Sequence, residues 1–168
     1  MFTIALETPA DAGGIEDLLD LTFGSDRFAK AVYALRREVP PLASLSFTGS
    51  IDEALIATLR FWPALVDGRW PILVLGPIAV RPDLQGQGFG IRLLQHGLAE
   101  AAAQGWGAVA LVGDEPYYAR VGFSREAAAA LRLPGLAQPE RLLARDLKSG
   151  SLALMSGPIG QARRVRAA

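Results

Sequence analysis

Between Ile72 and Leu94 the chain passes from an apolar run, through a glycine-rich loop, into a helical pattern. No other stretch constrains the fold as much. Gly86, Gly88 and Gly90 alternate just where the helical pattern begins. Glycine reaches positive φ without steric penalty and lets a ligand approach the backbone. The first amides of a helix have no internal partner, and roughly half a positive charge accumulates there from the dipole. Together these features suit a phosphate or pyrophosphate. Without a ligand, the same residues make a simple strand-to-helix turn. A nucleoside-triphosphate loop needs Gly-Lys-Ser/Thr, but Gly90 is followed by Ile91. A dinucleotide fingerprint counted from Gly86 and Gly88 needs glycine at Ile91, which fails too. Asp114 follows the next strand, where a ribose-binding acid would sit, so dinucleotide binding stands as a third reading; no further βα units follow it.

The strand before the loop, Trp70 to Val80, carries Gly76-Pro77 in its middle. Proline lacks an N–H and is confined to edges and bulges. The strand is therefore expected to bulge or splay from its neighbour near Pro77. That would expose backbone groups at Ile78, Ala79 and Val80 to an extended, amide-bearing ligand. The pantetheine arm of coenzyme A is such a ligand, and its pyrophosphate would then lie at Gln85–Gly90. An ordinary bulged strand is the alternative.

Elsewhere the pattern predicts a strand over residues 2–7 and a helix beginning at Thr8-Pro9-Ala10-Asp11. That helix shows Ile15, Leu18, Leu19 and Thr22 on one face and stops at Gly24. A second helix is expected from Ser25 to Glu38, ended by Pro40-Pro41. Leu42–Phe47 reads as a strand and Thr48–Glu53 as a turn. Ala54–Val66 and Trp106–Val112 are further strands, the latter apolar throughout and so expected to be buried on both faces. Phe89–Gln104 is an amphipathic helix with Ile91, Leu94, Leu98 and Ala102 inward. Pro116–Val121 suits a short helix, and Leu142–Leu147 and Leu152–Met155 are strand-like.

Composition narrows the chemistry. The 168 residues, 51% hydrophobic and 20% charged, suit one folded domain over 1–168, with a frayed tail from about 161 that carries Arg163, Arg164 and Arg166. Lys+Arg and Asp+Glu are 17 each, so a broad nucleic-acid surface is not expected. There are no cysteines and one histidine, His96, which the helical pattern puts on an exposed face. No thiolate or multi-histidine metal site is therefore expected, and a Ser-His-Asp triad is disfavoured. The start lacks a secretory pattern, and no apolar run reaches the roughly 20 residues that span a bilayer, so a cytoplasmic protein without membrane contact is expected. Monomer and homodimer both remain open.

Val80-Arg-Pro-Asp-Leu-Gln85-Gly86-Gln87-Gly88-Phe89-Gly90 resembles the acyl-CoA signature of the GNAT superfamily, Gln/Arg-x-x-Gly-x-Gly/Ala, with Gln85, Gly88 and Gly90 in the marked places. Tyr117-Tyr118-Ala-Arg-Val-Gly122-Phe123 resembles that superfamily's Tyr-x-x-x-Gly-Phe motif. The two stand in order, one helix and one strand apart. Leu75–Val80, Gly113–Phe123 and Asp146–Leu152 are similar to a branch of N-acetyltransferases of uncertain substrate. The resemblance implies an α/β (α+β) fold: a mixed, mostly antiparallel central sheet with a splayed strand pair, flanked by helices. It implies an enzyme that passes an acetyl group from acetyl-CoA directly to a primary amine of a small molecule or protein. The cofactor-binding set would be Ile78, Ala79, Val80, Gln85, Gly86, Gln87, Gly88, Phe89, Gly90 and Ile91, with Tyr118 facing the thioester sulfur.

The thioester is already activated, so positioning and proton management are the main tasks. A phenol of pKa about 10 can protonate a thiolate leaving group of pKa about 8.5, which is the general-acid role expected of Tyr118. An N–H at Ile78 would polarise the carbonyl. Tyr117 is expected in the core. The strand Ile72 to Val80 lacks the carboxylate often found there in the superfamily; Asp114 and Glu115 are the nearest base candidates. That gap motivates a second reading, a coenzyme A-binding sensor or structural module without turnover. Arg36, Arg37, Glu38, Arg60, Phe61 and Trp62 are candidates for the acceptor pocket.

Overall fold

A computed structural model describes residues 1–24 and 31–162 of the chain. In chain order the elements are β1 (Phe2–Leu6), α1 (Ala12–Phe23), β2 (Ser46–Ile51), β3 (Ala54–Val66) and β4 (Trp70–Val80). There follow α2 (Phe89–Ala103), β5 (Ala108–Val112), α3 (Glu115–Tyr118), β6 (Leu131–Arg132), β7 (Leu142–Asp146) and β8 (Gly157–Gln161). Six strands form the main path of the sheet, β1-β2-β3-β4-β5-β7. All neighbours on it are antiparallel except β4 and β5. β8 pairs with the far end of β3 (Ala64 opposite Gln161) and, in parallel, with β6. The expected mixed, mostly antiparallel architecture is the one observed.

Strand alternation divides the core. On β4, Leu73 and Leu75 join the cluster under α2, and Ile72 and Val74 join the opposite one; Val109 and Leu111 of β5 divide from Ala108 and Ala110 in the same way. β5 is thus buried on both faces, as its unbroken apolar run requires. α2 lies close on β3: a Cβ on Gly97 would stand 2.8 Å from both Leu59 and Phe61. The inward stripe of α2 is Leu93, Leu94, Gly97, Leu98 and Ala101, with Ile91 half-buried and Ala102 exposed. The 3.6-residue period thus takes position 101 after 94 and 98, not 102. Ile15, Leu18 and Leu19 of α1 cover Ala79 and Leu55 on the other face. The Asp11 carboxylate accepts from the Thr8 N–H (2.7 Å) and hydroxyl (3.1 Å), so the sequence start signal is used, with a 3-10 turn at Pro9–Asp11 preceding the α-helix.

Four local expectations are corrected. The second helix, expected over 25–38, is a 3-10 turn at Ala31–Leu35; the chain turns at 36–38, where Glu38 takes φ 59°, and residues 25–30 lie outside the described residues. Strand β2 starts at Ser46, not Leu42, because Ala43–Leu45 coil into a 3-10 turn closed by the Ser46 hydroxyl on the Leu42 carbonyl (2.8 Å). The turn expected at 48–53 shrinks to Asp52-Glu53, both at positive φ, as a two-residue hairpin requires. Gly49 is in the strand, since the Phe2 ring lies 2.5 Å from where its Cβ would stand. Leu152–Leu154 is a 3-10 turn capped by the Asp146 carboxylate on the Leu152 N–H (2.8 Å), not a strand. The arginines at 163, 164 and 166 lie outside the described residues; Gln161 closes β8, and its side-chain amide donates to the Ala34 and Arg37 carbonyls. Among the described residues no helix is long and apolar enough to cross a membrane.

Candidate active site

β4 and β5 share only two registered pairs, Leu73 with Val109 and Val74 with Ala110. Beyond them β4 runs on to Val80 and β5 to Val112 without a ladder, so the two strands part. The parting begins three residues before Pro77. On the other side of β4, Leu59 faces Ile78 and Phe61 faces Leu75, which leaves Arg60 opposite both Gly76 and Pro77. This is a bulge at the residue that has no N–H to give. The Trp62 indole N–H donates to the Gly76 carbonyl at 2.6 Å and fixes it.

Successive residues of a strand turn their backbone groups to opposite neighbours. The Arg81 N–H donates to the Ile56 carbonyl of β3 (2.8 Å), so Ala79 also addresses β3, and the groups of Ile78 and Val80 face the gap. The Val80 carbonyl accepts from the Gln85 side-chain amide at 3.1 Å, which folds the loop back over the strand end. Gly86 and Gly88 take φ +81° and +88°, and a Cβ on either would meet nothing within 4 Å: the space over the loop is open. The first helical bond of α2 runs from the Arg92 N–H to the Gly88 carbonyl, so the amides of Phe89, Gly90 and Ile91 open toward that space. The Phe89 ring itself turns inward onto Phe2, centroids 4.8 Å apart, and only its backbone serves the loop. Gln87 is exposed.

Helix α3 brings two tyrosines to the same gap. A Cβ on Gly90 would stand 2.6 Å from the Tyr117 hydroxyl, and one on Gly113 would collide with the Tyr118 ring. Both glycines therefore make room for phenols. The two rings meet edge to face, 4.9 Å between centroids, and Tyr118 also packs against Phe123. Tyr117, expected in the core, is 36% exposed and lines the cavity; in a four-residue helix at the mouth of a gap, adjacent side chains both reach it. Burial pushes the Tyr118 phenol up to about 12, with Tyr117 and Asp114 adding to the rise and Arg141 opposing it.

The cavity between the parted strands measures about 770 Å³, within the range of small-molecule sites. Its floor is Leu75 to Val80 and Leu111 to Gly113; the end of α1, the Ala31–Arg36 segment and the loop 135–138 wall it. Asp114 lies on its rim, 78% exposed at the side chain and 3.5 Å from the Arg141 guanidinium. Glu115 is engaged elsewhere, accepting from the Arg125 N–H at 2.5 Å, and does not line the cavity. A second recess of about 440 Å³ shares Tyr33, Arg36 and Pro77 with the first and adds Glu16, Arg37, Arg60 and Trp62. Of the acceptor-pocket candidates, Phe61 is instead fully buried under α2, and Glu38 is exposed outside both recesses. Tyr33 and the loop 135–138 carried no sequence signal, since nothing local links them to residues 75–80.

Residues 46–125 match the model of the acetyltransferase (GNAT) domain. The chain is 36% identical over 124 residues to the N-acetyltransferase YhbS of Escherichia coli, covering 71% of this chain and 72% of that protein. The chain belongs to the GNAT acetyltransferase family. A second E. coli N-acetyltransferase, YjhQ, is 29% identical over 125 residues, 73% of this chain and 69% of that one. The crystal structure of YhbS in complex with CoA superposes with a TM-score of 0.81 at 31% identity, covering 96% of this chain and 89% of that one. A GNAT acetyltransferase of Brucella melitensis, in complex with acetyl-CoA, shares the fold with a TM-score of 0.71 at 23% identity and 96% coverage of both chains. The GNAT domain match spans the whole run from β2 through the loop and α3, so both motif regions fall inside it.

Proposed function

We propose that the gap between β4 and β5 is the acyl-transfer site of an acetyl-CoA-dependent N-acetyltransferase acting on a primary amine. One observation carries this reading: the strands part directly beside the open amides at the start of α2. The amides from Gln85 through Gly86, Gln87, Gly88, Phe89 and Gly90 to Ile91 would hold the pyrophosphate. Ile78 and Val80 would pair with pantetheine in place of the missing strand, over the Ala79 segment that α1 supports. The CoA and acetyl-CoA complexes of the two GNAT relatives agree with it.

Acetyl-CoA supplies the activated acyl group. The neutral amine attacks the thioester carbonyl, the C–S bond breaks, and the acetyl group passes to nitrogen. The Ile78 N–H polarises the carbonyl oxygen. Tyr118 gives its proton to the departing sulfur and is reprotonated by the proton released from nitrogen. The amine's earlier proton leaves toward the rim, where Asp114 and bulk water receive it; Glu115, tied to the Arg125 N–H, supports the turn instead. Net, an ammonium and a thioester give an amide, a thiol and one proton.

A panel of small amines and peptides with acetyl-CoA, read by free-thiol release, tests the reading. Turnover of any acceptor is expected. Silence across the panel despite tight CoA binding would favour the non-catalytic CoA module, and stronger thermal stabilisation by NAD than by CoA would favour dinucleotide binding.

A further inference from the structure

The Arg36 guanidinium sits where the two recesses meet, and among the described residues no carboxylate pairs with it. Its Nε is sealed from solvent and donates to nothing. The group is held by π faces instead: its Cζ lies 4.6 Å from the centroid of the Tyr33 ring and 5.1 Å from that of Trp62. Burial lowers its pKa to about 10, eased by the adjacent Tyr33, so it is still a cation at neutral pH. Arg37, in the second recess, is exposed, and the Nε of Arg141 is sealed like that of Arg36, but the remaining wall arginines have carboxylate partners. Arg60 gives Nε (2.9 Å) and a terminal nitrogen (2.7 Å) to Glu7, and Arg141 pairs with Asp114. A partly buried cation that no carboxylate among the described residues offsets is destabilising, so a chain that keeps one has a use for it.

We infer that Arg36 binds a carboxylate carried by the acceptor, so that the substrate is an amine that is also an acid. The inference rests on the acetyl-transfer reading above and narrows its acceptor. A terminal nitrogen of Arg36 stands 3.1 Å from the place of a Cβ on Gly76. Gly76 is two residues from Ile78, whose backbone faces the gap, and two residues of chain span no more than about 7 Å. A carboxylate on Arg36 thus leaves an amine, a few bonds away, beside the expected thioester. The planar fork of a guanidinium matches the two oxygens of a carboxylate, which a point charge does not. Trp62 serves both ends: its ring stacks on Arg36 and its N–H fixes Gly76.

The test uses matched acceptors, amino acids against their amides and against the amines that lack the carboxylate. For the wild-type enzyme kcat/KM should favour the acid by about tenfold or more, the scale of one charge-assisted contact. In Arg36→Met, which keeps the aliphatic packing, the ratio should fall to near one, with CoA binding retained as the check on folding. Arg36→Lys should recover part of the ratio. Equal use of acid and amide by the wild type, or an unchanged ratio in Arg36→Met, overturns the inference while leaving the transferase reading intact. If no acceptor of either kind is acetylated, the transferase reading itself fails. The inference is then judged by melting temperature in the presence of CoA: N-acetylglycine should stabilise wild type more than N-acetylglycinamide, and equal shifts overturn it.

Discussion

The indole N–H of Trp62 donates to the carbonyl of Gly76 across the β3–β4 pair at 2.6 Å, at the one place where the ladder skips a residue. This bond ties a buried ring to the bulge in β4, inside the segment after Val74 that has already parted from β5. Trp62→Phe keeps a ring and loses the donor, leaving a carbonyl unsatisfied. The expected cost is about 1–3 kcal/mol, a fall in Tm of several degrees for a chain of this size. Turnover should fall while CoA still binds through the loop. Calorimetry with steady-state kinetics checks it; an unchanged Tm would show that the bond does not hold the bulge.

Tyr118→Phe removes the proposed acid and little else, since the ring still packs on Gly113 and Phe123. A fall in kcat of about a hundredfold, with KM for acetyl-CoA unchanged, is expected. An unaltered rate would remove Tyr118 from the mechanism.

The pH profile follows from the same phenol. Its active form is the protonated one, and burial raises its pKa to about 12. The acid therefore stays competent well above the pH at which an ordinary tyrosine ionises. The rate should rise with pH as the amine loses its proton and show no falling limb below pH about 10. A decline near pH 9, absent from Tyr118→Phe, would contradict the assignment.

Much of this was legible where local pattern and tertiary demand agree. β3, β4, β5 and α2 are long or strongly periodic, and the loop Gln85–Gly90 is contiguous, so its chemistry can be read without knowing the fold. Failures arose where a distant residue decided. Gly49 reads as a turn because its space is taken by Phe2, which lies in another strand. β8, Gly157–Gln161, has two glycines and a proline and forms because β3 extends past β2 to receive it. Arg36 was a candidate wall residue, but its stacking on Trp62, across 26 positions of chain, was invisible.

Arg36→Met should also test the energetic side of the acceptor inference. Replacing a partly buried cation, paired with no carboxylate among the described residues, by an apolar side chain of similar length is expected to leave stability unchanged or raise it by about 1–2 kcal/mol. That corresponds to a few degrees in Tm. A marked fall would mean that Arg36 is held for structure, by its stacking on Tyr33 and Trp62, and not for a ligand.

Charge at the loop should matter more than bulk. Gly88 is the N-cap of α2 at φ +88° with open space beyond it. Asp and Asn are the L residues that best tolerate that conformation and also cap helices. Gly88→Asp should weaken CoA binding at least about tenfold and Gly88→Asn clearly less, because only the first sets an anion against the pyrophosphate. Equal affinities for the two variants would argue that charge plays no part there.

The most direct measurement is a crystal structure of the protein grown with CoA. The diphosphate should lie against the amides of Gly86 to Ile91, with the pantetheine arm bonded to the main chain of Ile78 and Val80 and its sulfur beside Tyr118. A diphosphate bound elsewhere, or a gap closed by the protein's own side chains while CoA sits on another face, would contradict the account.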